Sequence, residues 1–318
     1  MFIKQWKFIP VALGIISLVS ACSSGINHYT DDDPLRLDLA EEKLTILQLT
    51  DLHLSFGIDY NDRRTYRLIE ALVDETNPDI VVFTGDMSMA PFGPQLFNQL
   101  GETMERLETK WTFIFGNHDN DHASYSEYFP LLSKFDHLLF KVGPELEDGG
   151  FGNFKIETYF NNNHFYNLYL LDSHTEADVE IGYGWLSESQ VEWYGAHAAI
   201  DKLDGIKSSV FMHIPLFEYT EFSDELAVDG EQGEGVYHQG ENTGFFDEMV
   251  LHGVSQGVFV GHDHLNNFSF LNEGILLAYG YASGYNGYGN TSKGGRVIEI
   301  SSTQVLSSTL ISDTEVGV

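Results

Sequence analysis

The sequence predicts an α/β fold in which two mixed sheets pack face to face with helices outside, a four-layer α-β-β-α sandwich. Three observations carry this. From residue 44, short runs rich in β-branched and aromatic residues alternate with helical stretches. The C-terminal part is instead a succession of strand-like runs separated by Gly or Asn turns. Asp, Asn and His residues gather where several of the runs end. The chain has 318 residues, 42% of them hydrophobic, an ordinary fraction that excludes wholesale disorder. It carries 16 Lys+Arg against 48 Asp+Glu, a formal net charge of -32. That excess of acid excludes nucleic acid as a partner, because phosphate backbones need Lys and Arg to displace counterions. It also argues against electrostatic docking on anionic lipid. No obligate protein partner is evident.

The chain opens with an address segment. Lys4 and Lys7 precede an apolar run over 8–19, the length of a signal-peptide core and too short to span a bilayer. The run ends in Val19-Ser20-Ala21-Cys22, which resembles a bacterial lipobox, where the cysteine is acylated and becomes the mature N-terminus. The alternative is an ordinary signal peptide with a chance Cys near its end. Cys22 is the sole cysteine, which also excludes a disulfide scaffold and a thiolate metal cluster. No Asp follows Cys22, and by analogy with lipoproteins this favours outer-membrane sorting, facing the periplasm. Residues 1–21 are therefore expected to be a lipoprotein signal peptide. Residues 22–41, with Asp31-Asp32-Asp33-Pro34, are expected to be an acidic flexible tether, and 42–318 one domain.

Within that domain, LTILQLT (44–50), DIVVFTG (79–85), WTFIFG (111–116), FYNLYLLD (165–172), SSVFMHI (208–214) and GVFVG (257–261) read as strands. Their near-continuous apolarity suggests burial on both faces. Helices are expected over 63–76, where Leu68, Leu72 and Val73 keep helical spacing, and over 94–109 and 122–135. Weaker candidates span 187–199 and 242–252. NNFSFLN, GILLAYG, GRVIEIS and TQVLSSTLI look like consecutive antiparallel strands. The 224–244 stretch, rich in Gly, Glu and Gln, reads as a long surface loop.

Ligands of open α/β sheets bind outside the carboxyl ends of the strands. Five predicted strands end there in Thr50-Asp51-Leu52-His53, Gly85-Asp86, Gly116-Asn117-His118-Asp119, His213-Ile214-Pro215 and Gly261-His262-Asp263-His264. Each alone is weak, since a histidine at a strand end is more often a hydrogen-bonded structural residue. Together they suit two divalent cations, which need a shared anionic ligand plus imidazole and carbonyl donors. Asp86 can bridge, and Gly85 lets the backbone come close to the ions. Asp51, His53 and His264 could complete one site, and Asn117, His213 and His262 the other. Nitrogen and oxygen donors without thiolate point to two divalent transition-metal ions, Mn, Fe or Zn. His118 is left free to act as a general acid or to bind a phosphoryl oxygen.

The ordered blocks D-L-H, G-D, G-N-H-D, H and G-H-D-H resemble the signature of the calcineurin-like metallophosphoesterases, over about residues 44–300. The resemblance implies the sandwich fold, phosphoester hydrolysis by in-line attack of a metal-bridging hydroxide, and a small phosphorylated substrate. It places the family's ligands on Asp51, His53, Asp86, Asn117, His213, His262 and His264, and its catalytic histidine on His118. IGYGWLSESQ, HIPLFEY, NTGFF, GHDHLNNF and YGYASGYNGYG resemble more finely the purple-acid-phosphatase-like branch of plants and fungi. Purple phosphatases carry a tyrosine ligand three residues after the bridging aspartate, where this chain has Met89, and a glycine where it has His53. A colourless Mn, Zn or mixed-iron centre is expected in consequence. A phosphomonoesterase is the first expectation, a phosphodiesterase acting on cyclic nucleotides, nucleotide derivatives or phospholipid headgroups the second, and a non-catalytic envelope protein the third.

Around the metals, Tyr183, Trp185, Tyr281, Tyr285 and Tyr288 lie in Gly-containing loops and could wall a substrate pocket or plug loops onto the core. Arg64, beside Arg63 at a helix start, could bind phosphate or remain an exposed helix cation. Glu218 could accept a hydrogen bond from a ligand imidazole or face solvent. Asp119 and Asp263 are expected to orient ligands.

Overall fold

The computed structural model describes residues 28–143, 151, 153–175 and 182–318. The signal segment and Cys22 lie outside them. The chain joins the fold earlier than its composition suggested, which corrects the tether expected over 22–41. Tyr29 is buried and donates its backbone N–H to Val142. Asp31 meets His197 at 3.0 Å and Asp33 meets Lys141 at 2.7 Å. Leu35–Leu39 then forms β1, with its three leucines buried and Arg36 and Asp38 facing out. L-R-L-D-L is a period-two strand pattern, hidden in the sequence by the acidic run before it.

Leu44–Leu49 (β2), Ile80–Thr84 (β3) and Trp111–Ile114 (β4) are buried at every position and pair in parallel. The crossovers are α1 (Tyr60–Thr76) and α2 (Gly93–Arg106). Asp59 caps α1 by accepting the N–H groups of Asn61 and Asp62, and Pro94 opens α2, where a missing N–H costs nothing. The third helix, α3 (Tyr125–Leu132), is shorter than the expected 122–135 and starts at a Ser124/Glu127 capping box.

Next come Phe154–Phe160 (β5), for which no strand was expected, and Asn163–Leu170 (β6). α4 (Glu188–Asp204) follows and ends at Gly205 in a left-handed turn, then Lys207–Phe211 (β7) and the short Ala227–Asp229 (β8). α5 (Phe245–His252) leads into Ser255–Val260 (β9), Ser269–Asn272 (β10), Ile275–Tyr279 (β11), Gly294–Ile300 (β12) and Leu306–Ser312 (β13). One sheet has the order β1-β5-β6-β7-β9-β11-β10-β8, the other β13-β12-β2-β3-β4, and both mix parallel with antiparallel pairs. The tail is therefore not one antiparallel run. β10–β11 and β12–β13 are hairpins, but β11 lies parallel to β9 while β12 crosses to the other sheet beside β2. Pairing partners at that distance leave no trace in local alternation.

α1 packs on β2 and β12, while α4 bonds to the opposite sheet through Tyr169–Asp201 and Tyr194–Ser255. Polar ties from Gln48 and Arg296 cross between the sheets. Gln48 of β2 donates to Val260 of β9 at 2.9 Å, directly beneath the strand ends. Buried Arg296 of β12 donates to the Tyr279 carbonyl at 2.8 Å and to both oxygens of Asp229. These ties hold the carboxyl ends of β2, β3, β7 and β9 side by side, which is where the site forms.

Candidate metal centre

The loops after these strands are stitched by backbone bonds, Asp51 N–H to Gly85 at 3.1 Å, His53 N–H to Asp86 at 3.0 Å and Gly261 N–H to His213 at 3.1 Å. Asp51, His53, Asp86 and His262 all have left-handed backbone, with φ of 53°, 43°, 52° and 80°. Each costs about 1–2 kcal/mol, and such strain persists where the surroundings fix it. It is concentrated on expected ligands. Gly85 has a different role from the one expected of it. A Cβ there would lie 2.5 Å from His213 Nδ1 and 2.8 Å from Gly116 Cα, so its missing side chain makes room for an imidazole, not for an ion.

The seven expected donors converge as two adjoining sets, Asp51, His53 and His264, and Asp86, His213 and His262 with Asn117. In the first, His53 Nε2 and His264 Nε2 stand 2.8 Å apart, and Asp51 Oδ1 is 3.4 Å from His264 and 3.8 Å from His53. In the second, Asn117 Oδ1 lies 3.0 Å from both His213 Nε2 and His262 Nδ1. Asp86 Oδ2 serves both sets, 3.6 Å from His53 Nε2 and 3.2 Å from His213 Nε2. Donors bound at about 2.0–2.2 Å to one ion sit roughly 3–3.6 Å from each other, so the spacing fits a metal in each set. Two imidazole nitrogens facing each other at 2.8 Å can share only one proton, whereas one cation satisfies both lone pairs. His213 gives Nδ1–H to the Thr84 carbonyl at 2.7 Å, which fixes Nε2 as its inward donor. His53 and His264 have no such support, and their buried Nδ1 atoms lack a partner.

Protonation follows from burial and from neighbours. Burial opposes ionisation of Asp51, but His264 and His213 outweigh it and hold the carboxyl at about 2. Asp86 is likewise opposed by burial yet held well below the carboxylate range by His213 and His53. Burial pushes His53 down to about 4 and, with His213 beside it, His262 down to about 3. His53 and His262 are thus neutral, as metal ligands must be, whereas at His213 burial is outweighed by the Asp86 carboxylate, which raises it to about 10, so that a bound ion would have to displace its proton. Burial lowers His118, but the Asp86 and Asp121 carboxylates more than compensate and raise it.

The donors open on a cavity of about 750 Å³ that includes His118 in its wall. His118 Nδ1 meets Asp121 Oδ2 at 2.8 Å, and its backbone N–H donates to Asp86 Oδ1 at 2.9 Å. Asp121 was not among the expected site residues, although its place three residues after His118 was a signal. Of the expected wall residues, Tyr183 meets the His262 ring edge-on at 4.3 Å and Tyr288 stacks on His264 at 4.1 Å. Both line the cavity, with Met89, Asn286, and Glu234 and Tyr237 from the 224–244 loop. That loop is part of the cavity wall, held by Tyr288 OH on Glu234 at 2.7 Å and Tyr237 N–H on Asp263 at 3.1 Å.

Trp185, Tyr285 and Arg64 are corrected, since none lines this cavity. The Trp185 carbonyl holds His174 at 2.8 Å. The Arg64 guanidinium lies 3.7 Å over the Tyr285 ring, and Tyr285 OH donates to Asp313, so the pair anchors the C-terminal segment. Glu218 accepts from Asn242 and touches no ligand. Asp119 ties loops, accepting from the N–H groups of Gly116 and Ser88, and burial followed by Asp86 lifts it to about 7. Asp263 accepts from Tyr279 OH at 2.6 Å.

Two sheets that deliver two adjoining sets of buried nitrogen and oxygen donors to one edge, sharing a single carboxylate, define a dimetal hydrolase. The calcineurin-like phosphoesterase family model matches residues 44–266, and the chain belongs to that family of metal-dependent phosphoester hydrolases. It is similar to the Arabidopsis thaliana proteins named "Probable inactive purple acid phosphatase 29" and 28. The first is 27% identical, covering 86% of this chain and 80% of the relative. The second is 28% identical, covering 93% and 88%. Phosphatase DCR2 of Saccharomyces cerevisiae is 30% identical over 76% of this chain and 48% of its own length. Among solved structures, a dimetal phosphatase from Danio rerio shares the fold, with a TM-score of 0.56 and 14% identity over 88% of this chain and 99% of that one.

Proposed function

We propose that the chain is an active phosphomonoesterase working with two Mn, Fe or Zn ions on a phosphorylated substrate whose phosphoryl end enters the cavity. The observation that carries this is His118 in the cavity wall beside a complete set of seven donors. The word inactive in the names of two relatives does not transfer, because every donor the chemistry needs is present. When bound, the ion pair activates water for in-line attack and offsets charge on the phosphoryl oxygens. Asp51, His53, Asp86 and His264 would hold one ion, and Asp86, Asn117, His213 and His262 the other. Asp121 holds the Nδ1 side of His118, leaving Nε2 to give its proton to the leaving oxygen, and the Asp121 carboxylate favours the protonated ring.

A second reading, a phosphodiesterase, is favoured by one feature: among the described residues no Lys or Arg lines the cavity, while Tyr183, Tyr237 and Tyr288 do. A diester carries one charge fewer and a second group for aromatic contact. Metal-replete protein assayed on a monoester and a diester of the same leaving group decides between them. His118→Ala should lower kcat by about 10²–10⁴ with metal content unchanged. Equal activity in the variant would overturn the role of His118, and no hydrolysis of either ester would overturn the reading.

The enzyme sits, on this reading, at a bacterial outer membrane facing the periplasm, anchored by acylated Cys22. The support is the Val19-Ser20-Ala21-Cys22 motif. Radiolabelled fatty acid should enter the wild-type chain and not Cys22→Ser.

A further inference from the structure

Beside the cavity mouth lies an apolar rim built from the loops after β2 and β3. Phe56, Ile58, Tyr60 and Phe92 are 66%, 75%, 65% and 48% exposed, and Phe56 and Phe92 have ring centroids 6.3 Å apart. Met89, 45% exposed and three residues before Phe92, lines the cavity, and Asn286, also in its lining, donates to Asp62 beneath the rim, so the two surfaces adjoin. The exposure is not slack. Asp62, wholly buried, accepts the N–H groups of Ser55, Phe56 and Gly57 and the Asn286 side-chain amide, while Gln99 donates to the Gly57 carbonyl at 2.8 Å. A buried carboxylate with four donors therefore holds large apolar side chains out in water.

The charge beside the rim departs from the rest of the chain. Tyr60, Arg63 and Arg67 recur at helical spacing and share one face of α1. Arg63 and Arg67 are exposed and form no ion pair among the described residues, although acids outnumber bases 48 to 16. Apolar tips with arginines just behind them suit a lipid–water interface, where the tips enter the acyl region and the cations meet headgroup phosphates. If the phosphoester reading holds, a lipid surface also delivers phosphoester headgroups to the cavity.

We propose that this rim seats the enzyme on a lipid surface, and that the phosphoester it takes carries a long hydrocarbon chain. The second half rests on the phosphoester reading; the first does not.

The test uses the full chain with Cys22→Ser, so that one engineered thiol carries an environment-sensitive fluorophore at Ile58→Cys, at Phe92→Cys or, on the outer end of α4, at Leu203→Cys. Phosphatidylcholine vesicles brominated in the acyl chains should quench the labels at 58 and 92 and leave the label at 203 bright. Equal quenching at all three, or none, overturns the docking surface. A blue shift at 58 that grows with protein concentration but is not quenched would assign the rim to self-association and also overturn it. For the substrate, the triple variant Phe56→Ser, Ile58→Ser, Phe92→Ser should lose at least about tenfold in kcat/KM on a long-chain phosphoester in mixed micelles, with a water-soluble aryl phosphoester hydrolysed as before. Equal losses on both esters overturn the substrate class. If the wild-type chain hydrolyses neither ester, the phosphoester reading fails, and quenching still decides the surface.

Discussion

Gly85→Ala tests the link between backbone and metal site. Two costs can be worked from the structure. Gly85 has φ of 92°, a region an alanine occupies at a cost of about 1–2 kcal/mol. Its new Cβ would lie 2.5 Å from His213 Nδ1 and 2.7 Å from Cγ, against an ordinary contact of about 3.5–4.0 Å. The ring must yield by roughly 1 Å, an overpacking cost of about 1–3 kcal/mol. Movement of the ring strains the 2.7 Å bond from Nδ1 to Thr84 and carries Nε2 away from Asp86 and Asn117. The expected total is about 2–5 kcal/mol, a fall in melting temperature of roughly 3–8 °C for a domain of this size. Loss of support for a ligand should also weaken metal binding by about 10–100-fold. Gly274→Ala is the control, because Gly274 has φ of 82° with nothing within 4 Å of the position its Cβ would take, and so carries the backbone cost alone. Thermal melts with and without metal, together with chelator competition, read both quantities. Equal melts for the two variants and unchanged metal affinity for Gly85→Ala would refute the reasoning.

Metal removal should lower stability, since the donors are folded around the ions; at free metal about 1,000 times Kd the loss is about 4 kcal/mol, read as a drop in melting temperature on adding chelator. Asp62→Ala strips the partner from three backbone N–H groups and the Asn286 amide, and urea unfolding should show a loss of about 3–5 kcal/mol. Asp79 accepts the Thr45 N–H at 2.8 Å, and burial raises its carboxyl above 3.8. The folded state therefore holds that proton to higher pH than the unfolded one, so this group's contribution to stability falls as pH rises from 3.8 through its folded value. Asp79→Asn removes that loss, and the variant's stability relative to wild type should increase as pH rises above 3.8 in denaturant titrations. A flat or falling difference would contradict this.

Much of the site was legible because its donors follow buried runs, and the end of a buried strand is where a side chain can face a ligand. Asp51, Asp86, Asn117 and His262 could be read that way, each from its own short block. Helical spacing also placed the helices, but not their ends: α3 begins at the Ser124 capping box and not at 122, and α4 runs on to the left-handed Gly205, past the expected 199. The misses share a cause. Arg64 and Tyr285 are turned by Asp313 and by each other across the fold, and the Trp185 backbone is held by His174 from the preceding loop, partners that local spacing does not show. β1 and the crossing from β11 to β12 depend on strands more than a hundred residues away.

The order of chemical blocks and their positions after apolar runs were determined by the sequence alone, because hydrophobic periodicity and turn chemistry are local. Which oxygen of Asp86 faces both donor sets, the seating of the His213 ring over Gly85, and the apolar rim beside the cavity were decided only by the tertiary structure. Those features are distances between segments brought together by sheet pairing, and no stretch of chain encodes them by itself.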